Sequence, residues 1–369
     1  MKILIPVINF GKSGGDRVLS KIADELISFG HTVDFMSSDA SADPYFPTRA
    51  SIKWISNKGE ISETHIKGVT LKDSFFSIQQ KLTKALKRIS KDSYDVILAS
   101  HSLTTLPIKK AGLIHKTFYY VQNYDPDSHN TAGGFKNKIL AYLSEKSYKM
   151  NLFTIVNAKI YLNYKKIKAR GVLYPGIDFL LFYPKEEKII QIEKKSNTNK
   201  IIIGTIGRAA RFKGTRYIVE AFKIIKANYP SAELHIAFGN PVDFKNQEGI
   251  YCFNPDGDKN LGDFYRSLHY YICAVYTQFG AFHYPIAEAM SCGIPVITTS
   301  YYPANDSNAW MIKPQNSMDI VNQFELAINN PTLKEKKVRQ ALCDVKQFDW
   351  KKVGEKLNNF LNEFLDLKK

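Results

Sequence analysis

Short apolar runs alternate with amphipathic helical segments along the chain, and this pattern limits the fold more than any other feature. Residues 2–8, 95–100 and 201–206 are apolar runs of strand length, whereas residues 18–27 and 78–89 carry apolar side chains at helical spacing. Further runs lie at residues 32–36, 117–122, 153–157, 233–238, 250–253, 270–276 and 295–299. Continuous apolar runs are typical of parallel strands that helices cover on both faces. The sequence therefore predicts an α/β fold.

The chain is long enough for two hydrophobic cores, and one segment marks a boundary between them. From Pro184 onward the sequence PKEEKIIQIEKKSNTNK is polar and charged, and a new apolar run begins after it. We expect one doubly wound, Rossmann-like domain at residues 1–184, a second at residues 185–349, and a final amphipathic helix at residues 350–369. In such domains the expected site is the crevice outside the carboxyl ends of the strands.

The formal net charge of +16 is unevenly distributed. Residues 136–170 contain nine Lys and Arg side chains against one acid, Glu145, and residues 81–91 add five cations and no acid. Such a field attracts phosphates, nucleic acid or anionic lipid, and the simpler interpretation is a solvated basic surface. The sequence has no RNA-binding signature, zinc-finger spacing or basic zipper, which favours a membrane surface over nucleic acid as a partner.

Targeting and metal-binding signals are not apparent in the sequence. No run approaches the roughly 20 apolar residues that span a bilayer, and the segment MKILIPVINFGKSGGD reads as a first strand rather than a secretion signal. Cys252, Cys273, Cys292 and Cys343 are widely separated and form no CxxC pair. We expect small buried cysteines in a reducing cytoplasm, and no metal site.

The first chemical motif is GTIGRAARFKG at residues 204–214, which begins within the run at residues 201–206 and continues directly after it. A glycine such as Gly207 lets the backbone approach a ligand closely. Arg208 offers a bidentate fork and Lys213 a point charge, so together they can hold a diphosphate whose negative charge grows as a leaving group departs. The alternative is a glycine turn beside surface cations.

The second motif is FGAFHYPIAEAMSCGIPVI at residues 279–297, in which a loop leads into a helix. Phe282, His283 and the backbone amide of Tyr284 are expected near the helix N-terminus, where an anion is stabilised. Glu288 follows inside the helix and could accept both hydroxyls of a ribose. The alternative is an ordinary solvated helix glutamate.

These two motifs, with YPGID upstream at residues 174–178, make the chain similar to the family 4 retaining glycosyltransferases of GT-B fold. The resemblance covers nearly all of the second half and, more loosely, the first half. It implies that Arg208 and Lys213 bind the donor diphosphate, that Glu288 binds the ribose, and that the Gly14-Gly15 loop faces the donor phosphates or the acceptor. It also implies two domains that face each other across a cleft, with the last helix crossing back to the first.

The chain departs from this family pattern at two places. Gly280 stands where the family has a glutamate that contacts the donor sugar. Many members also have a histidine after a middle strand of the first domain, where this chain has Gln122 and Asn123. His101, which follows the run at residues 95–100, is our candidate for contact with the donor sugar or acceptor, and a capping or packing role is the alternative.

The resemblance implies a metal-independent hexosyltransferase that uses a nucleoside diphosphate sugar as co-substrate and needs no cofactor. The segment YYVQNYDPDS at residues 119–128 is similar to a subgroup of bacterial rhamnosyltransferases, which suggests a 6-deoxyhexose donor. We expect a cell-surface glycan or lipid-linked acceptor, at the inner face of the membrane. The alternatives are a catalytically silent homologue that binds a glycan or a partner protein, and a nucleotide-sugar epimerase. A dinucleotide oxidoreductase is disfavoured because GKSGGD lacks the G-x-G-x-x-G spacing.

Overall fold

The structure is a computed structural model that describes residues 1–65, 74–90, 92–185, 200–207, 210–244 and 247–368. The chain forms two compact units, Met1–Gly176 with Trp350–Lys369, and Ile177–Asp349. The first boundary therefore lies at Gly176 and not at the predicted residue 184. The reason is local packing: the Ile177 amide donates to Phe348 O at 2.6 Å, and Arg266 donates to Leu181 O at 2.7 Å, both within the second unit.

The first unit contains an eight-stranded sheet of order β4-β3-β2-β1-β5-β6-β7-β8, parallel except for the β3–β4 pair. Its strands are β1 (Lys2–Pro6), β2 (Thr32–Ser38), β3 (Ser51–Ile55), β4 (Ile61–Ser62), β5 (Val96–Ala99), β6 (Thr117–Val121), β7 (Phe153–Val156) and β8 (Ala169–Val172). The central strands are buried because helices cover them, as their continuous apolar runs require.

Six helices of the described residues belong to the first unit. They are α1 (Gly14–Ser28), α2 (Phe75–Arg88), α3 (Ser102–Lys110), α4 (Asp125–Ala132), α5 (Gly134–Tyr148) and, from the end of the chain, α11 (Trp350–Asp366). The final helix packs on this unit through Phe364, whose ring lies edge-on to Phe118, and through Asn358, which is 2.7 Å from His31 Nε2. Gly354 allows the close approach of α11 to α1, since a Cβ there would lie 2.6 Å from Glu25 Cβ.

The second unit contains a six-stranded parallel sheet of order β11-β10-β9-β12-β13-β14. Its strands are β9 (Ile201–Ile206), β10 (Ala232–Ala237), β11 (Ile250–Phe253), β12 (Tyr270–Cys273), β13 (Val296–Thr298) and β14 (Trp310–Met311). Its helices are α6 (Thr215–Asn228), α7 (Gly257–Ser267), α8 (Tyr284–Ser291), α9 (Ser317–Asn329) and α10 (Pro331–Val345). Its core is centred on Ile203, Phe222 and Phe324, which are at most 2% exposed.

Three details differ from the sequence-based expectations. Cys343 is exposed and Cys252 is partly exposed, so only Cys273 and Cys292 are the small buried side chains that we expected. Lys81 does not contribute to a basic surface, because it is 2% exposed and its Nζ lies 2.9 Å from both Asp39 Oδ1 and Ser38 Oγ. The helices α3, α4, α5, α9 and α10 and the strands β3, β4, β8 and β14 were not predicted. Among the described residues, no helix is both long and apolar enough to cross a bilayer.

Candidate functional site

Both sheets reverse their strand order at one point, and the predicted site residues follow the strands at these points. In the second unit the chain proceeds from β9 outward to β11 and then returns to β12 on the other side of β9. In the first unit the equivalent reversal lies between β1 and β5. Loops diverge at such a point and leave a crevice at the carboxyl ends of the strands, where ligands bind in open α/β sheets.

The loop after β9 contains the first motif. Gly207 is buried, and a Cβ there would lie 2.4 Å from Ile236 Cγ2, so the glycine permits close packing against β10. Arg208 lies outside the described residues. Lys213 ends a 3-10 turn and precedes Gly214, whose φ of 73° and closeness to Ala274 O exclude a side chain. Tyr276 N donates to Phe212 O at 3.0 Å, which ties this loop to the one after β12.

The loop after β12 contains the second motif. Gly280 has a φ of 85°, and its amide donates to Ser300 O at 2.7 Å. The His283 amide donates to Tyr302 O at 2.9 Å, and the Phe282 ring packs edge-on against Tyr284 at a centroid distance of 5.3 Å. His283 is the N-cap of α8 and Tyr284 is its first residue, as the sequence predicted. The loop is therefore held rigidly beside the helix N-terminus.

Lys213 and His283 come from different loops, and the charge of Lys213 acts on the His283 ring. Burial, and next the positive charge of Lys213, lower the pKa of His283 to about 3. The imidazole is therefore neutral at pH 7, with Nδ1 3.8 Å from Cys273 Sγ. In this pair the positive charge resides on Lys213, and His283 can take part only through hydrogen bonds.

Glu288 is buried inside α8, with 2% of its surface exposed, so it is not a solvated helix glutamate. Tyr265 of α7 donates its hydroxyl to Glu288 Oε2 at 2.9 Å. Burial, followed by the charge of Glu288, raises the pKa of Tyr265 well above its ordinary value, so the tyrosine remains a donor. Sequence analysis missed Tyr265, whose position on a helix between two strands gives no signal of a polar contact.

In the first unit, Gly14 and Gly15 begin α1, directly after the N-cap Ser13. Gln122, at the end of β6, donates through Nε2 to Gly15 O at 3.3 Å and to Ser100 Oγ at 2.7 Å. The loops after β1, β5 and β6 thus meet at the carboxyl edge of this sheet. The family resemblance places a histidine of many members near Gln122 and Asn123, and this departure is the signal that could have marked Gln122 as a site residue.

His101 follows β5 and caps α3: its Nδ1 accepts the Leu103 amide at 3.1 Å. The same atom lies 3.7 Å from Asp125 Oδ2, which accepts the Ser102 amide at 3.1 Å. Because Nδ1 accepts a hydrogen bond in this arrangement, the neutral ring carries its proton on Nε2 and can only donate from there. The capping role that we considered for His101 is thus present, and it leaves a donor for a ligand rather than a base.

Among the described residues, no group of three or more His, Cys, Asp or Glu side chains could hold a metal ion.

The two strand orders and their reversal points define an α/β protein of two Rossmann-like units, the architecture of the GT-B glycosyltransferases. Residues 186–342 match the model of the family Glycosyl transferases group 1. An uncharacterized glycosyltransferase of Haemophilus influenzae is 23% identical over 355 residues, which cover 90% of this chain and 92% of the relative. Residues 186–342 are therefore similar to the group 1 glycosyltransferases, which is the similarity that the sequence motifs indicated.

Two further proteins are similar to this chain. The capsular polysaccharide biosynthesis glycosyltransferase CapM of Staphylococcus aureus is 24% identical over 208 residues, which cover 51% of this chain and 54% of CapM. HepE of Anabaena, solved in complex with UDP and glucose, has a TM-score of 0.70 and 16% identity, over 98% of this chain and 100% of HepE. The likeness to HepE shows that the two chains share a fold.

Proposed function

We propose that this protein is a retaining, metal-independent glycosyltransferase that moves a hexose or 6-deoxyhexose from a nucleoside diphosphate sugar to a cell-surface glycan or lipid-linked acceptor. The observation that carries the proposal is the convergence of Lys213, His283 and Glu288 on the loops and helix that follow β9 and β12. The complex of HepE with UDP and glucose and the role named for CapM support a nucleotide sugar and a polysaccharide, respectively.

In this proposal the diphosphate is bound by Lys213 and Arg208 with the N-terminus of α8. Lys213 supplies a positive charge, and the helix dipole adds to it at Tyr284, so charge that develops on the leaving phosphate is stabilised without a metal ion. The neutral His283 contributes a hydrogen bond and no charge. The leaving phosphate oxygen would assist removal of the proton from the acceptor hydroxyl on the same face of the sugar.

Glu288 is proposed to bind the ribose hydroxyls of the donor. Its carboxylate is already oriented by Tyr265 before any ligand arrives, which lowers the cost of ordering it on binding. The amides and the glycine turn at Gly207 and Gly214 are proposed to position the phosphates against Lys213.

Rhamnose is proposed as the donor sugar because of the glycine at position 280. With a φ of 85°, this position disfavours any L side chain, so the loop has no carboxylate there to pair with sugar hydroxyls. A 6-deoxy sugar presents fewer hydroxyls that need partners, which suits a site of this kind.

The acceptor is proposed to bind at the carboxyl edge of the first sheet, near Gly14, Gly15 and the donor Nε2 of His101. We further propose that this unit contacts an anionic membrane surface through α5. On that helix Phe135, Ile139 and Tyr142 are 81%, 36% and 61% exposed and are spaced to lie on one face. Lys136 and Lys138 lie on the same helix, so an apolar face and positive charges occur together.

The release of nucleoside diphosphate from a panel of donor sugars tests the proposed role of the cations. We expect Arg208→Ala and Lys213→Ala to lower turnover on the order of a hundredfold, because each removes a charge-assisted contact worth roughly 3 kcal/mol in the transition state. Lys223→Ala, an exposed lysine of α6, is the matched control and should keep the parent rate. Parent-like turnover in both site variants would show that the assigned roles are wrong.

The same assay separates the alternative functions. A catalytically silent homologue would release no diphosphate from any donor, with or without a saccharide acceptor. An epimerase would convert the donor sugar without an acceptor and without releasing diphosphate.

A further inference from the structure

The first unit has a cavity at the edge of its sheet opposite to the candidate site. It has a volume of about 540 Å³, which is within the range of about 300–1,000 Å³ that is usual for small-molecule sites. Thr117, Phe153 and Ala169, the first residues of β6, β7 and β8, line it. Phe364 in the last turn of α11 and Lys368, two residues after the helix, also line it. Strand β6 begins at this cavity and ends at Val121, next to Gln122. The cavity and the candidate site residue Gln122 therefore lie at opposite ends of the same strand.

The lining of this cavity is strongly basic. Lys168, Arg170 and Lys368 line it together with His115, and none of the described lining residues is Asp or Glu. No described residue forms an ion pair with any of the three cations. The three side chains are exposed to solvent at the rim of a shared space, and an anion entering it would meet positive charges and no carboxylate of the described lining.

Aromatic rings hold two of these cations in place. The Arg170 guanidinium lies 4.9 Å from the centroid of Phe153, and Lys368 Nζ lies 3.7 Å from the centroid of Phe364. A cation over a ring face is attracted to it by the ring quadrupole, so each ring limits where its cation can go. The rings also supply an apolar wall beside the charges.

Lys368 has a pKa below its ordinary value. Partial burial, and next the charge of Lys116, lower the pKa of Lys368 to about 8. The other titratable or charged groups beside it are His115, Lys168 and Arg170 of the cavity lining and Asp366, the last residue of α11. A bound anion would favour the charged form, so binding should take up protons near pH 8.

We propose that this cavity is a binding site for a phosphate-bearing ligand, held by Lys168, Arg170 and Lys368 between the amino ends of β6–β8 and the end of α11. Three cations without a carboxylate match the two or more negative charges of a phosphate or diphosphate better than the single charge of a carboxylate. Arginine suits a phosphate because its planar fork donates two parallel hydrogen bonds. This site is separate from the proposed donor site. A ligand bound in it would contact both the end of α11 and the sheet.

Calorimetric titration of the full chain at low ionic strength tests this site with two probes, inorganic pyrophosphate and water-soluble dihexanoylphosphatidic acid. We expect Lys168→Gln with Arg170→Gln to weaken binding by about tenfold or more, because two charge-assisted contacts are lost. The control is Lys109→Gln with Lys110→Gln, which removes two exposed positive charges from the end of α3, outside the cavity lining. The control should bind as the parent does.

The two probes distinguish the source of the phosphate. Saturation by pyrophosphate identifies a free phosphate compound, whereas binding of the phosphatidic acid alone identifies a lipid headgroup, and either result supports the site. Affinity should also fall as the pH rises above about 8, as Lys368 loses its proton. Failure of both probes to bind the parent at millimolar concentration, or equal loss in the two double variants, would overturn the proposal. Neither result depends on glycosyl transfer.

Discussion

Glu288 combines two properties that conflict in an isolated carboxylate, since it is both buried and placed at a site for a polar ligand. A buried charge is costly unless hydrogen bonds compensate it, and Tyr265 supplies one at 2.9 Å. The tyrosine is itself buried between α7 and the sheet, so the pair is fixed by the core and not by a mobile surface. A ligand would therefore meet a carboxylate whose orientation is already set.

Tyr265→Phe should lower the free energy of unfolding by about 1–3 kcal/mol, because it removes a hydrogen bond to a buried carboxylate and leaves the ring packing intact. Urea unfolding monitored by circular dichroism measures the change. Tyr251→Phe is the control: its side chain is 47% exposed, and the effect should stay within about 0.5 kcal/mol. Equal losses in the two variants would mean that the contact to Glu288 contributes nothing measurable.

Single residues also mark where sequence reasoning was insufficient. Glu288, His283 and Lys213 could be singled out because they occur in motifs, at helix starts and after apolar runs. Tyr265 and Gln122 could not be assigned their contacts, because each meets its partner through the fold: Tyr265 lies 23 positions before Glu288, and Gln122 lies 107 positions after Gly15. His101 was predicted as a site residue or a cap, and only coordinates could show its contact with the Leu103 amide.

At the scale of elements, α5 has an unusual outer face. Its buried side is small and includes Leu140 and Ser144, whereas Phe135 is 81% exposed. Lys146 Nζ lies 4.5 Å from the centroid of the exposed Tyr142 ring. Aromatic side chains beside lysines are typical of helices that lie in a membrane interface.

Flotation with anionic vesicles at low salt tests the proposed membrane contact of α5. Phe135→Ser with Tyr142→Ser should lower the bound fraction strongly, since both exposed apolar side chains are lost while the lysines remain. Leu180→Ser, which changes a side chain that is 87% exposed in the second unit, should leave binding unchanged. If the parent does not bind, or if the double variant binds equally, the membrane contact is refuted.

The elements were predictable to different degrees. The buried strands β1, β6 and β9 were predicted within two residues of their observed ends, because a continuous apolar run reports burial on both faces. The edge strand β14 was missed because its two residues are too few to form a pattern. Helices α4 and α5 were missed because side chains such as Phe135 and Tyr142 are exposed, which removes the apolar periodicity.

At the scale of the whole molecule, the same reversal of strand order occurs in both units. Each unit reverses its strand order beside the first strand of its sheet, β1 or β9, and each places glycine-containing loops at the carboxyl ends there. The division of the chain into two units and the return of the last helix to the first unit accord with the sequence motifs, although the boundary at Gly176 required the packing of residues 177–182. The basic cavity of the first unit had no counterpart in the motifs, because its cations come from separate segments.

Binding of nucleoside diphosphates tests the central claim most directly, namely that Lys213 and Glu288 recognise the donor at the reversal point of the second sheet. Calorimetric titration with UDP, GDP, ADP and dTDP should show binding of at least one to the parent. That affinity should fall about tenfold or more in both Lys213→Ala and Glu288→Gln, because each loses a charge-assisted contact. Binding that is unchanged in both variants, or absent for all four nucleotides in the parent, would contradict the account.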